Sequence, residues 1–367
     1  MSSLLYLPIF LYSVIILTFA TSAGIMGKSY SQLDRGKSNI LFPLILASVL
    51  AIWIGMRPFS HVFGDSGLYA HQYNLLMDNP PGTPSERFEW IWLKLMIVCS
   101  SVVDVHVFFT IVSLGYFGCT LWACKRLFPN NIWIALLFNL AAFSFYTYGV
   151  NGIRNGLACS IVLVAISYVA IPGKRNITIA ALLCFVAFNI HRTALLPCAM
   201  LFLSAYWIKK FKTAYIFWLL SIVISLVAGG FVTSFFVSFG FDDRMAHYMT
   251  QHEVDKLATI GFRWDFLLYS AMPIILGYYV IVKKGIKDTA YMILLNTYTL
   301  SNAFWVMVIR ANYSNRFAYL SWFMYAVVLA YPCLKLNVWG KRQGAITAYI
   351  MLAQVAFRWI MNIFYGY

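Results

Sequence analysis

Charged residues are scarce in this chain: they make up 11% of its 367 residues, whereas hydrophobic residues make up 62%. A soluble domain carries about 25% charged residues, so the composition excludes a soluble enzyme. The chain also has no GxxxxGK[ST] loop, the usual cradle for nucleotide phosphates, and its seven cysteines form no CxxC pair. We therefore expect no structural disulfide, no thiolate metal site and no nucleotide cofactor.

The hydrophobic residues are instead gathered into runs of about 20, the length that crosses a hydrocarbon core of about 30 Å. The sequence therefore predicts an all-α, polytopic membrane protein of about twelve spans, forming a single integral-membrane domain over 1–367. The predicted spans are 4–26, 39–56, 104–124, 131–149, 153–171, 176–191, 194–208, 213–239, 264–282, 289–310, 314–334 and 344–364. A weaker apolar stretch, 88–101, carries two charges and is interpreted as an interfacial or re-entrant helix.

The connectors between these spans alternate in charge. One set is short and rich in lysine, so the positive-inside rule places it in the cytoplasm. The other set includes two large outer loops, about 57–103 and 240–263, and it holds nine arginines, two lysines, ten acids and all six histidines. Because outer arginine runs against the rule, we expect it to bind phosphate or to pair with the outer acids. The net charge of +15 is spread over short loops and indicates membrane lipids, not nucleic acid, as the partner.

The first large outer loop contains candidate catalytic carboxylates. Asp65 precedes Tyr69 by four residues, so a helix would present both on one face. Asp65 and Glu89 are candidate general bases. The alternative is that Asp65 caps a helix beside an aromatic membrane anchor.

Candidate phosphate ligands lie at the outer ends of other spans. Arg154 falls in the first turn of the fifth span, where the helix dipole favours an anion; snorkelling to lipid headgroups is the alternative. His191 and Arg192 lie where two short apolar segments meet, and His191 is a candidate acid, base or phosphate partner.

A second arginine pair lies in the turn between the tenth and eleventh spans. Arg310 and Arg316 are six residues apart around two asparagines, which suits a diphosphate and sugar hydroxyls. A structural pairing with Asp265 or Asp243 is the alternative. In the 240–263 loop, His247 and His252 are five apart, a poor spacing for a metal site on a helix.

These motifs, in this order, resemble the EpsG family of Wzy-type polysaccharide polymerases. The matching elements are Asp65-xxx-Tyr69, Phe88-Glu89, Arg154-xx-Leu-Ala158, His191-x-Thr-Ala-Leu195 and Arg316-xx-Tyr319 ending at Pro332. One element departs from the family pattern: Phe88-Glu89 continues as Trp-Ile-Trp, where the family usually has a glycine and an aromatic residue.

The resemblance implies a GT-C-like membrane glycosyltransferase in the bacterial inner membrane, with its active site facing the periplasm. Such enzymes transfer a growing glycan from undecaprenyl diphosphate to the non-reducing end of the next lipid-linked repeat unit, without a cofactor or a metal. A chain-length regulator protein is a candidate partner. This chemistry needs cationic groups for the diphosphate and a base for the acceptor hydroxyl. The candidate ligands are Arg154, Arg192, Arg310, Arg316, Tyr69 and Tyr319, and the candidate bases are Asp65, Glu89 and His191.

Other functions stay open at this point. An O-antigen ligase would use the same lipid carrier, although ligases usually carry a larger outer domain. A flippase or exporter of lipid-linked oligosaccharide should carry charge at mid-membrane, where these spans have almost none. A membrane O-acyltransferase would be expected to receive its donor from the cytoplasm.

Overall fold

A computed structural model of the chain describes residues 1–35, 38–78, 89–171, 176–238, 262–311 and 314–365. Within these ranges every regular element is helical, which confirms the predicted all-α class. Seven described helices are long and apolar enough to cross a membrane: Ser3–Ile25, Val105–Leu127, Ile153–Ala170, Phe211–Phe231, Trp264–Lys283, Asn315–Leu334 and Gly340–Phe364. The architecture is that of a polytopic membrane protein, while the count of twelve spans stays a prediction.

The α-helices are numbered in chain order. They are α1 (Tyr6–Ile25), α2 (Tyr30–Asp34), α3 (Leu41–Gly55), α4 (Ser66–Asp78), α5 (Trp90–Ser100), α6 (Val105–Leu127), α7 (Ile132–Ala141), α8 (Phe145–Val150), α9 (Ile153–Ala170), α10 (Ile177–Ile190), α11 (Leu195–Tyr206), α12 (Phe211–Ser238), α13 (Trp264–Tyr278), α14 (Thr289–Met307), α15 (Asn315–Leu334) and α16 (Gln343–Tyr365). A π-helical turn, Tyr279–Lys283, follows α13.

Three predicted segments differ from simple spans. The predicted span 213–239 corresponds to α12, which is kinked at Ala228 (φ −127°, ψ 22°). The predicted span 131–149 is wrong as a continuous helix, because the chain breaks between α7 and α8. Within the predicted stretch 88–101, residues Trp90–Ser100 form α5, and its interfacial or re-entrant position stays a prediction. In the two large outer loops, Phe88 and residues 240–261 lie outside the described residues.

The helices form two compact units, residues 1–194 with 330–367 and residues 195–329. In the first unit, α9 packs against α6 and α10, α6 packs against α3, and α1 packs against α16. In the second unit, α14 packs against α11 and α12. The single integral-membrane domain expected from the sequence stays a prediction.

The two ends of α9 carry different chemistry. At its C-terminal end, Arg126 donates from Nε to Ser167 Oγ at 2.9 Å, and its guanidinium lies 3.5 Å from the centre of the Tyr168 ring. Asn130, just beyond α6, donates to Asp34 in the basic connector after α1. Arg154 lies at the opposite end of α9, about 20 Å away by the rise of a helix. Arg126 and the basic connector after α1 therefore lie at the end of α9 that is opposite to Arg154.

Candidate functional site

Glu89 is the centre of a charged cluster in the first unit. Its Oε2 accepts a hydrogen bond from Arg154 Nη1 at 2.6 Å, and its Oε1 accepts from the backbone N–H of Arg192 at 2.9 Å. His191 Nδ1 lies 3.6 Å from Oε1, slightly beyond hydrogen-bond distance. Four of the residues that the sequence singled out are therefore in one place, although 65 and 103 residues separate Glu89 from Arg154 and Arg192.

Helix ends bring these residues together. Glu89 is the N-cap of α5 in an extended conformation, but its side chain makes no capping bond, so the carboxylate is available to other partners. Arg154 is in the first turn of α9. His191 ends α10 in an extended conformation, at φ −154° and ψ 116°. Because α9 and α10 pack as neighbours, the start of one lies beside the end of the other.

The cluster is shielded from solvent. The side chains of Arg154, Glu89 and His191 are 8%, 10% and 19% exposed. Burial alone would raise the pKa of Glu89, but the His191 imidazole, the Arg154 charge and the Arg192 N–H together lower it to about 2. A carboxylate with so low a pKa is a weak base, which suits Glu89 to holding its partners better than to removing a proton.

The Glu89→Gln variant should be less stable than wild type, and the difference should become smaller as the pH falls. The folded-state pKa of Glu89, about 2, lies below the ordinary value of 4.5, so ionised Glu89 stabilises the fold above about pH 4.5 and this stabilisation is lost as the pH falls toward 2. We expect the variant to be less stable than wild type by on the order of 1–3 kcal/mol at about pH 6, and by clearly less at about pH 3. Thermal unfolding in nanodiscs at both pH values measures this, and a pH-independent difference would contradict it.

Asp65 and Tyr69 contact residues that lie three positions in the chain from Arg154 and from Glu89, respectively. The backbone N–H of Asp65 donates to Asn151 Oδ1 at 2.9 Å, in the turn between α8 and α9. Gly64 precedes it with φ +57°, and a Cβ there would overlap the Asn151 side chain. Tyr69, 5% exposed, packs edge-on against Trp92 of α5 with ring centres 5.9 Å apart. The turn that leads into α9 and Arg154 therefore also holds the backbone of Asp65.

Arg310, Arg316 and Tyr319 belong to the second unit. Arg310 is exposed, with its guanidinium 5.8 Å from the centre of the Phe262 ring. Arg316 is half-buried in the first turn of α15. Tyr319 is 1% exposed and packs against Phe323, a position that suits packing better than contact with a substrate. That these residues share a substrate with the Glu89 cluster stays a prediction.

Three other arginines that the sequence predicts to face outward have structural partners. Arg263 forms a two-pronged ion pair with Asp265, at 2.6 and 2.9 Å. Arg57 and Arg358, 1% and 2% exposed, donate to backbone carbonyl oxygens. Arg57 and Arg358 therefore bind backbone carbonyls, which the expectation for these arginines did not include. Their role depends on helix ends that are distant in sequence, so no local pattern marks it.

No three His, Cys, Asp or Glu side chains in the described ranges lie close enough to hold a metal ion. No two of the seven cysteines are joined. These observations do not test the expectation that the reaction needs no metal or cofactor, which stays a prediction.

A sequence model of the EpsG family matches residues 40–367. The matched range contains every candidate residue from Asp65 to Tyr319, and it confirms the resemblance seen in the motifs. No curated protein and no solved structure shows a significant match to the chain.

Proposed function

Because the chain belongs to the EpsG family of polysaccharide polymerase-like proteins, we propose that it is a glycosyltransferase that extends lipid-linked polysaccharide. It transfers the growing glycan from undecaprenyl diphosphate to the non-reducing end of the next lipid-linked repeat unit, at the periplasmic face of the inner membrane. The observation that supports this most is the Glu89 cluster: two arginines, a carboxylate and an imidazole meet at the ends of apolar helices. We expect a membrane-bound diphosphate and a polar acceptor to approach the cluster from the side of the exposed Arg192 side chain.

The donor half of the reaction needs positive charge. The bond between the anomeric carbon and the carrier diphosphate breaks, its electron pair leaves with the diphosphate, and the acceptor oxygen bonds to that carbon. Arg154 and Arg192 stabilise the charge that develops on the leaving group. The Arg192 side chain is exposed while its backbone N–H is held by Glu89, so a fixed backbone presents an accessible guanidinium. The Arg154 guanidinium balances the Glu89 carboxylate, and Arg192, whose backbone is bound to the same carboxylate, adds a second positive charge.

The acceptor half needs a base for one hydroxyl proton. If the 3.6 Å separation between His191 Nδ1 and Glu89 Oε1 closes to a hydrogen bond on substrate binding, Nδ1 carries a proton and Nε2 is left to accept one. Glu89 then orients the imidazole and holds Arg154 at the same time. Asp65 is the alternative base, since its backbone is anchored to the turn that leads into Arg154.

Elongation by the purified protein tests the proposal. Wild-type protein in nanodiscs should convert lipid-diphosphate repeat units, extracted from cells that lack the gene, into a ladder of longer glycans without nucleotide. A pulse of labelled repeat units should place the label at the lipid-linked end of the chain, as growth from carrier to carrier requires. A folded wild-type protein that leaves the repeat units unchanged would contradict the proposal.

The same assay separates the competing functions. A ligase would act only when a lipid A core acceptor is added, and it would give a single capped product in place of a ladder. A flippase or exporter would move the repeat unit between leaflets of a vesicle without lengthening it. Either outcome would replace the polymerase proposal.

A further inference from the structure

A short helix next to the candidate site is broken at both ends. α8 is separated from α7 by residues 142–144, and Asn151 and Gly152 separate it from α9. Breaks of this kind leave backbone carbonyl groups without helical partners, which is costly in an apolar environment unless other groups bind them. Two buried arginines bind these carbonyls, one at each break.

Arg358 lies at the first break. Its Nη1 donates to the carbonyl oxygen of Leu140 at 2.8 Å and lies 3.4 Å from that of Ala142. Gln354, one turn earlier on α16, donates to Phe138 O at 2.8 Å. The side chains of α16 therefore bind the last carbonyls of α7.

Arg57 lies at the second break. Its Nη2 donates to Val150 O at 2.8 Å and to Ser66 Oγ at 2.9 Å, and its Nη1 donates to Ile54 O at 2.9 Å. The Ser66 hydroxyl lies 2.7 Å from the same Val150 carbonyl. Burial lowers the pKa of Arg57 to about 10, so the guanidinium stays charged at neutral pH.

These contacts reach both candidate catalytic segments. Ser66 directly follows Asp65, and Val150 directly precedes Asn151, which accepts the Asp65 N–H. Arg154 follows Val150 by four residues. The network at Val150 thus fixes the Asp65 loop against the turn that carries Arg154.

Energetics argue against a purely structural reason for this arrangement. A helix that continued across residues 142–144 would satisfy its own carbonyls and would not need the buried guanidinium of Arg358. Charged groups buried in a membrane protein are expensive. What the broken helix provides is a defined position for the α8–α9 turn.

We propose that Arg57 and Arg358 are positioning residues: by bracing α8 at both ends, they set the placement of Asp65 relative to Arg154 in the reaction centre. The inference rests on the proposed function for its catalytic consequence. A lysine keeps the charge at either position but cannot place several donors in the planar fork of a guanidinium.

Kinetics and hydrogen–deuterium exchange together test this role. In Arg57→Lys and Arg358→Lys, kcat per folded protein should fall by about tenfold or more while KM stays within about threefold, because misplaced groups act mainly in the transition state. Amide exchange over residues 145–156 should become faster. The matched control is Arg126→Lys, which alters a contact with Ser167 at the C-terminal end of α9, far from α8. This variant should change neither kcat nor the amide exchange over residues 145–156. A purely structural role would reduce the yield of folded protein and leave its kcat unchanged.

The proposal is overturned if both lysine variants keep kcat within about twofold of wild type. If they do not fold, Ser66→Ala, which removes one hydroxyl from the Val150 contact, should lower kcat in the same direction; a normal kcat there also overturns the proposal. If the wild type does not elongate glycans, the proposed function fails. Amide exchange in the lysine variants still tests in that case whether Arg57 and Arg358 hold α8 in place. Exchange equal to that of wild type would overturn the proposed positioning role.

Discussion

Replacing Arg154 with alanine should lower the rate of glycan elongation by about 10²–10³-fold, which is the effect of removing one preorganised group that stabilises developing charge. The loss should appear mainly in kcat, because the guanidinium acts most strongly when the diphosphate departs. Arg154→Lys should recover only part of the rate, since lysine cannot bind the carboxylate and a phosphate oxygen through one planar fork. Single-turnover elongation in nanodiscs measures both variants.

Loss of folding is the main competing explanation for an inactive Arg154→Ala variant. Removing Arg154 leaves the Glu89 carboxylate, 10% exposed, without its 2.6 Å partner, and an uncompensated buried charge costs about 3–5 kcal/mol. The double variant Glu89→Gln with Arg154→Ala removes both charges and should recover stability without activity. Recovery of activity in the double variant would show that Arg154 only neutralises Glu89.

The ion pair between Arg263 and Asp265 supplies a matched control for charge deletion. It has the same 2.6 Å contact, and it joins residues two apart in sequence. Arg263→Ala should leave elongation within about threefold of wild type, because no step of the proposed reaction uses this pair. If Arg154→Ala and Arg263→Ala had equal effects, the positive charge at position 154 would have no special role.

The helices could be predicted from the sequence because long apolar runs leave few alternatives in a membrane. One exception is the run 131–149, which the sequence predicts as one continuous span although it contains a break. Its hydropathy carries no sign of the break, because the carbonyls exposed there are bound by Arg358, 218 residues away. A helix can be interrupted where a distant side chain replaces the lost backbone hydrogen bonds.

The candidate site was predicted as separate pieces but not as an assembly. Arg154 and His191 stood out because each is polar at the end of an apolar run. The contact of both residues with Glu89 depends on the packing of α5, α9 and α10, which local sequence patterns do not specify. The partners of the arginines could not be predicted either. Arg154 binds a carboxylate and Arg57 binds backbone carbonyls, although both lie at the end of a predicted apolar span.

His191→Gln should lower kcat by about 10²–10³-fold, the usual effect of removing a positioned general base. Glutamine keeps hydrogen-bonding capacity but does not titrate, so the pH dependence of kcat/KM should change as well as its size. Imidazole is the side chain that changes protonation between about pH 5 and 8, so the acidic limb of the wild-type profile should disappear in this variant. Elongation rates from about pH 5 to 9 give the measurement.

Asp65→Asn is the comparison that assigns the base. Its backbone contact with Asn151 involves the Asp65 N–H, so the amide side chain leaves that anchor in place. If His191 is the base, Asp65→Asn lowers kcat without removing the acidic limb, because the carboxylate only orients the acceptor. If Asp65→Asn abolishes elongation at every pH while His191→Gln keeps a measurable rate and the acidic limb, Asp65 is the base and His191 positions Glu89. The low pKa of Glu89, about 2, makes its carboxylate a weak base, so neither outcome returns proton abstraction to Glu89.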